Sequence, residues 1–319
     1  MAGTLYILEQ GAVLRKQGER LTVEKEGQVL VDVPLASVAR VVIEGYVQVS
    51  TQAICLLLER GIATVFLGTD GRFRGSLEPL RSVNAPLRLS QYKAHTDPNR
   101  SLELAKECIS AKMYNQVRVI QKALYRRSSS FEGALDEIRR LRSRIRLKTS
   151  MKGLMGLEGA ASSIYFNAFG SILTGSREFV RTRRPPKDPI NAMLSYGYAI
   201  LASECTSALA IHGLDTHIGF YHGVKHGRPA LALDLMEEFR HPFIDMVVLT
   251  LISRRMVDLE TGFQPTPDGG FLMKPETRKR FLAHYETRAL HYRPIIRNQA
   301  EKLAKAIRDN TPYEPFLLE

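Results

Sequence analysis

Between His217 and His241 the chain reads HIGFYHGVKHGRPALALDLMEEFRH, which gathers histidines and carboxylates around a glycine-broken loop. Imidazole nitrogen and carboxylate oxygen are the donors a divalent cation takes from a protein. Gly219 to Gly227 has too many glycines and too little periodicity for a regular element and reads as a loop. From about Leu233 the pattern turns helical. Asp234 and Glu237 are then neighbours at i,i+3, and Glu237 and His241 at i,i+4. The apolar run Leu231, Leu233, Leu235 and Met236 lies behind the acids. Carboxylates set against a core must be hydrogen-bonded, paired or metal-bound. One reading is a metal site; the other is a surface loop followed by an amphipathic helix with solvated acids.

Glu158, in GLMGLEGAASSIYF, is a lone carboxylate in an apolar, small-residue helix and needs a partner. Either it meets His222 and Glu237 in space, or it faces solvent at a helix end or pairs with an arginine. Asn191 and Tyr196, on the helix after a proline-rich loop, are polar groups of the same core or serve in packing and capping. His226 beside Gly227 reads as solvent-facing, and His241 before Pro242 as the end of a helical turn. His212, His217, His284 and His291 have no acidic company that singles them out.

A second chemistry is carried by cations. The formal net charge is +12 and the pI about 9.7. That balance is the electrostatic footprint of a nucleic-acid binder, although an anionic membrane surface or solubility would also account for it. Arg139, Arg142 and Arg146 fall near one face of an expected helix, with Arg140 and Arg144 on another, and Asp136 and Glu137 satisfy only part of that charge. Arg181, Arg183, Arg184 and Lys187 lie in a loop that its prolines hold extended, and Lys225 and Arg240 flank the acidic motif. These are the candidate contacts to a phosphate backbone. A solvated helix with internal ion pairs and an ordinary soluble loop are the alternatives.

The elements that must position these residues follow from the pattern of the chain. Its 319 residues, 44% hydrophobic and 24% charged, fit an ordinary globular protein of about two domains. TLYILEQ, AVLRKQ, ERLTVEKE, QVLVDVP and VARVVIEG are short strand-like runs, the first four separated by Gly11, Gly18 and Gly27 as in successive hairpins. STQAICLLLERG reads as a helix capped by Ser50 or Thr51 and ended by Gly61, and IATVFLG and RFRGSLE as two further strands. Residues 1–80 are therefore expected to form a β-rich scaffold or assembly domain, 81–100 a linker with two prolines, and 101–319 an α-helical domain that carries the candidate metal- and phosphate-binding residues. Long helices are expected over 101–127, 134–148, 150–174 and 190–213, with a turn at Ser128–Ser130. The fold class is α+β: a small β-rich domain, then a larger all-α one. The N-terminus lacks the pattern of a signal peptide, no apolar run approaches a membrane span, and Cys55, Cys108 and Cys205 form no CxxC pair. These features fit a reducing cytoplasm, with no membrane partner.

In order along the chain, GLEGAASSIYF, RRPPKDPINAMLSYGYAIL, GFYHG and LALDLMEEFR resemble the CRISPR-associated adaptation integrase and endonuclease family, which inserts new spacers into CRISPR arrays. The similarity extends over nearly the whole chain. It implies a β domain followed by a helical catalytic domain, a homodimer, and a complex in which two dimers flank a dimer of a small companion protein. The family's metal-binding glutamate falls on Glu158, its histidine on His222 and its third ligand on Glu237, where some members have Asp. A further acid falls on Asp234 as a supporting residue. Such a set suits Mg²⁺ or Mn²⁺. The implied reaction is attack by a 3′-hydroxyl of spacer DNA on the repeat, or by water on branched double-stranded DNA, without ATP. A structure-specific DNA-repair nuclease and a non-enzymatic basic DNA-binding scaffold are the alternatives. The scaffold reading leaves Glu158, His222 and Glu237 unexplained as a set.

Overall fold

The computed structural model describes residues 3–77, 84–124, 131–175 and 179–319. The expected domain end near Leu80 and the turn at Ser128–Ser130 lie outside the described residues. The chain divides into two compact units, Met1–Val83 and Asn84–Glu319.

The first unit is built of two sheets. Strands β1 (Gly3–Ile7), β5 (Val38–Glu44), β7 (Ala63–Leu67) and β8 (Phe73–Leu77) make one, in the order β1-β5-β7-β8. β4 (Gln28–Pro34), β3 (Arg20–Lys25), β2 (Val13–Gln17) and β6 (Gln48–Val49) make the other, in that order. The expected chain of hairpins holds for β2-β3-β4, which pair antiparallel. It fails at Gly11: β1 leaves that chain to pair parallel with β5, which pairs parallel with β7. The crossing between sheets is fixed by Gln10. Its amide donates to Leu8 O at 2.9 Å and Glu44 O at 3.0 Å, and accepts from Tyr46 N at 2.8 Å. Gly45, at φ 78°, lies so close that a Cβ there would collide with Gln10 Oε1. Helix α1 (Thr51–Glu59) is capped by Ser50, whose hydroxyl accepts from Ala53 N. It buries Ala53, Leu56 and Leu57 in a core with Ile7, Leu14, Leu21, Val41 and Ile43.

Among the described residues the second unit is helical apart from a small hairpin, β9 (Phe263–Pro265) with β10 (Phe271–Met273). Its helices are α2 (Ala85–Thr96), α3 (Pro98–Leu124), α4 (Glu132–Ser143), α5 (Met151–Thr174), α6 (Pro189–Ile211), α7 (Ala230–Met236), α8 (Met246–Ser253) and α9 (Pro275–Asp309). Two local expectations are corrected. The 81–100 segment, read as a linker, contains α2 and the start of α3. Its prolines sit in first turns, where a missing N–H costs nothing, and Asn84 Oδ1 caps α2 by accepting from Leu87 N. The arginine-rich helix stops at Ser143, so Arg144 and Arg146 lie beyond it.

α3 runs through the middle of this unit, packed on α2, α4, α5 and α7. Around it, Tyr165, Phe169, Phe239, Phe243, Phe281 and Tyr285 are fully buried. Phe243 is stacked between the rings of Tyr285 and Tyr292, at 4.7 and 4.8 Å.

Candidate active site

The site begins with a helix that breaks. The expected helix from Leu233 through His241 is two elements: α7 ends at Met236, and a wide π-helical turn over Arg240–Asp245 leads into α8. Pro242 is the physical reason, since it lacks an N–H and its ring crowds the carbonyl of Glu238, four residues back. Glu237 and Glu238 sit at this break, each 1% exposed, with their side chains on different partners.

Asp234, 5% exposed, is committed to the preceding loop. Oδ2 accepts from Phe220 N at 2.6 Å and Tyr221 N at 3.0 Å. Oδ1 accepts from His222 N at 2.8 Å and lies 2.8 Å from His222 Nδ1. Because a carboxylate only accepts, Nδ1 carries the proton, and His222 turns Nε2 toward Glu237 Oε1, 3.8 Å away. That is the arrangement of an imidazole oriented by an outer carboxylate for a cation. Gly219 makes it possible: a Cβ there would lie 2.7 Å from Asp234 Oδ2 and from the backbone of Ala230. The former linker and the following turn of α3 hold the same loop from behind. Gln91 Nε2 donates to Asp215 O and Ile218 O, both at 2.8 Å, His95 Nδ1 lies 2.7 Å from Gly219 O, and Ser101 Oγ donates to Phe220 O.

Glu158 comes from α5 and meets Glu237 across α3, through a residue that no sequence pattern singled out. Lys112, 3% exposed, places its ammonium against Glu158 Oε1 and 2.7 Å from Glu237 Oε2. Ser162 Oγ donates to Glu158 Oε1 at 2.8 Å and Tyr221 OH to Oε2 at 3.3 Å. Glu237 Oε1 accepts from Arg240 at 2.6 Å. Glu237 Oε2 is buried and is held to Lys112 by charge, in a geometry poor for a hydrogen bond. Burial by itself would raise both carboxylates. The Lys112 ammonium outweighs it at Glu158, and Arg240 and Lys112 outweigh it at Glu237, so both lie below the usual carboxylate range and are ionised. Burial pushes the Tyr221 phenol up, reinforced by Glu158, so it stays a donor.

The structure thus brings Glu158, His222, Asp234 and Glu237 into one cluster, and the solvated-acid alternative fails for them. It does not assemble a closed ligand set: among the described residues no group of three His, Cys, Asp or Glu side chains is placed to enclose a metal ion. Lys112 stands between the two glutamates instead. The donor chemistry nevertheless fits a hard divalent ion. Two ionised carboxylates converge on one cation, one of their oxygens lacks a well-directed donor, and an imidazole nitrogen faces them.

His241 takes its hydrogen-bond partners away from Glu237. Its Nδ1 lies 2.7 Å from Asp245 Oδ2, and Gln116 Nε2 is 3.2 Å from its Nε2. Gln116 Nε2 also donates to Ser162 Oγ, so a hydrogen-bonded path runs from buried Asp245 to partly exposed Glu158. Tyr165 and Tyr198 hydroxyls donate to Asp245 as well. Burial lowers the His241 ring against the pull of Asp245, which keeps it neutral. Asn191 caps the proline loop: its Oδ1 accepts from Arg181 and from Thr182 N, and its Nδ2 donates to Val180 O.

The basic candidates divide. Arg139, Arg146, Arg183, Arg184, Lys187 and Lys225 are exposed. Arg142, Arg181 and Arg240 turn inward, which corrects their assignment to a free phosphate-contacting surface. Arg142 donates to Ser110 and lies over the Tyr114 ring at 5.1 Å. Arg181 donates to Asn191 Oδ1 and Ser195 Oγ, and burial pushes its guanidinium down to about 10. Arg240 stacks on Tyr198 at 4.4 Å while it holds Glu237. In each case an aromatic face or a buried acceptor outcompetes water for the guanidinium.

The family model for the CRISPR-associated protein Cas1 matches residues 5–287. The chain belongs to the Cas1 family. A CRISPR-associated endonuclease Cas1 of Thermus thermophilus is 36% identical over 98% of this chain and 97% of its own length. One from Rhodospirillum rubrum is 34% identical over 99% and 98%. The fold agrees with a solved Cas1 protein from Thermotoga maritima (TM-score 0.86, 24% identity, 99% of each chain). It agrees also with a casposase solved on its integration product (TM-score 0.84, 22% identity, 99% of this chain and 94% of that one). The β-rich and helical units of this Cas1-family chain are therefore the family's own architecture. Among the described residues no helix is long and apolar enough to cross a membrane.

Proposed function

We propose that this Cas1-family chain is a metal-dependent DNA integrase and endonuclease that inserts spacer DNA into a CRISPR array. The observation that carries the reading is the convergence of ionised Glu158 and Glu237 beside a His222 whose tautomer Asp234 fixes. Glu158, Glu237 and the Nε2 of His222 would hold Mg²⁺ or Mn²⁺. Bound there, the ion supplies Lewis-acid polarisation of a phosphoryl oxygen and alignment of the attacking oxygen. The protein's own groups do the rest. Glu237 is sealed from water at 2% side-chain exposure, whereas Glu158 and His222 remain 18% and 17% exposed, so the backbone of DNA approaches over the latter two. Asp234 holds the loop, and through it His222, at a fixed register. Exposed Arg183, Arg184 and Lys187 supply sequence-independent contact to phosphates.

In integration the 3′-hydroxyl oxygen of the incoming strand bonds to phosphorus in the repeat as the existing P–O bond breaks, and the departing oxygen takes up a proton. One phosphodiester replaces another, and no ATP is consumed. With water as nucleophile the same exchange is hydrolysis of branched DNA. The chain works as a homodimer with a small companion adaptation protein. The similarity to Cas1 endonucleases and the fold shared with a casposase support this reading. The test is His222→Ala, assayed for transfer of a 3′-hydroxyl end into a repeat-containing duplex with Mn²⁺ and for cleavage of branched DNA. Both should be lost, with the metal-free melting profile and DNA affinity kept. Activity equal to the parent would remove His222 from the site and the reading with it.

A further inference from the structure

We propose that Lys112 is a built-in counter-ion of the active site, whose ammonium holds the place between Glu158 and Glu237 and must leave it when a divalent ion binds. The inference rests on the metal-dependent reading above and concerns what this chain does before the ion arrives.

Lys112 lies in the middle of α3 at 3% exposure, a burial lysine reaches only when paired. Its ammonium touches carboxylates from two different elements, Glu158 of α5 and Glu237 at the end of α7. With Arg240 on Glu237 Oε1, the two glutamates already face two resident cations, and the one further carboxylate of the cluster, Asp234, lies behind His222. A divalent ion added to these two cations would carry the site past neutrality at low dielectric, where like charges repel strongly. One resident cation must therefore yield. Arg240 cannot do so easily: its guanidinium is stacked on Tyr198 and bonded to Glu237 at 2.6 Å. Lys112 is a point charge on a flexible stem; it donates a hydrogen bond to Glu158 but is held to Glu237 Oε2 without a well-directed one, so its ammonium can swing off Glu237 about that anchor.

Lys112 thus keeps both glutamates ionised and facing each other in the metal-free protein, at the cost of metal affinity. Its displacement also ties metal to DNA, because a phosphate brought into the site compensates the freed charge. Metal and DNA should then bind each other's complex more tightly than the free protein, by the same factor.

The test measures Mn²⁺ binding to the full chain by calorimetry, with thermal melting of the metal-free protein alongside. In Lys112→Met the metal-free protein should melt lower by roughly 10 °C, because Glu158 loses its only cation among the described residues and buried Glu237 loses one of two. Mn²⁺ should bind it more tightly, on the order of tenfold, because no resident cation competes. A duplex DNA should tighten Mn²⁺ binding in the parent and much less in the variant. Should Lys112→Met fail to fold, Lys112→Arg gives the opposite reading: a guanidinium forked across both glutamates should weaken Mn²⁺ binding. Parent binding with equal or weaker affinity in Lys112→Met, or undiminished affinity in Lys112→Arg, overturns the counter-ion role and leaves the metal reading standing. A parent that binds no Mn²⁺, with or without DNA, overturns both.

Discussion

Glu238 offers a sharp test of how this site is held together, because it adjoins Glu237 yet has the opposite electrostatic fate. It is 1% exposed and pins the C-terminal segment: Tyr313 OH donates to Oε1 at 2.7 Å, and Phe316 N and Gln299 Nε2 donate to Oε2 at 2.7 and 3.3 Å. No lysine or arginine forms a salt bridge to it among the described residues, so burial dominates and pushes its carboxyl up to about 7 against those hydrogen bonds. Between the ordinary value of 4.5 and about 7 the folded protein holds a proton that the unfolded chain has released. Stability therefore falls as pH rises through that window. At 1.36 kcal/mol per decade of proton affinity, the full loss above the window is about 3 kcal/mol.

Glu238→Gln mimics the protonated acid and does not titrate. Parent and variant should match near pH 5. At about pH 8 the variant should be the more stable by about 3 kcal/mol, a rise in melting temperature of roughly 6–12 °C for a unit of this size. His241, lowered by burial, contributes with the opposite sign below its ordinary value of 6.5. It is present in both proteins and cancels in the difference, which is the quantity to read from thermal melts between about pH 5 and pH 8. A variant less stable than the parent at pH 8, or a difference that does not change with pH, would refute the argument.

Two further outcomes follow from the hydrogen bonding of the site. Asp234→Asn should destabilise by about 3 kcal/mol, because an amide turns a donor toward backbone N–H groups that now meet a carboxylate. It should also release the His222 ring, so ¹⁵N shifts of His222 should lose the fixed Nδ1–H tautomer; an unchanged tautomer would count against Asp234 as its orienting group. Charge reversal of exposed Arg183, Arg184 and Lys187 should weaken binding to many DNA sequences alike and reduce the salt dependence by about 0.9 per lost contact. Arg181→Ala should instead lower the melting temperature with little change in that slope, and the reverse pattern would show that Arg181 faces DNA.

The order of strands and helices was legible because hydrophobic period and capping residues are local signals. Ser50 ahead of α1 and the small-residue run of α5 are read off the chain directly. Local signals misled where a residue has two uses. Proline read as a breaker between 81 and 100 but starts helices there, whereas at Pro242 the same residue, read as ending a helical turn, does interrupt the helix. The parallel pairing of β1 with β5 joins segments far apart in sequence, and no local pattern encodes it.

By itself the sequence determined which residues are anomalous. A carboxylate among small apolar residues, a histidine in a glycine loop and acids backed by leucines each demand a partner, because burying bare charge is costly. Only the tertiary structure decided who the partners are. It put Asp234 on the loop backbone, and it placed Lys112, unremarkable within an amphipathic helix, between Glu158 and Glu237. It also turned Arg181 and Arg240 inward onto Tyr198. The reason is physical: the demand for countercharge is a property of one residue and its neighbours in the chain, whereas its satisfaction depends on which helices pack around α3, and that is set by the whole core.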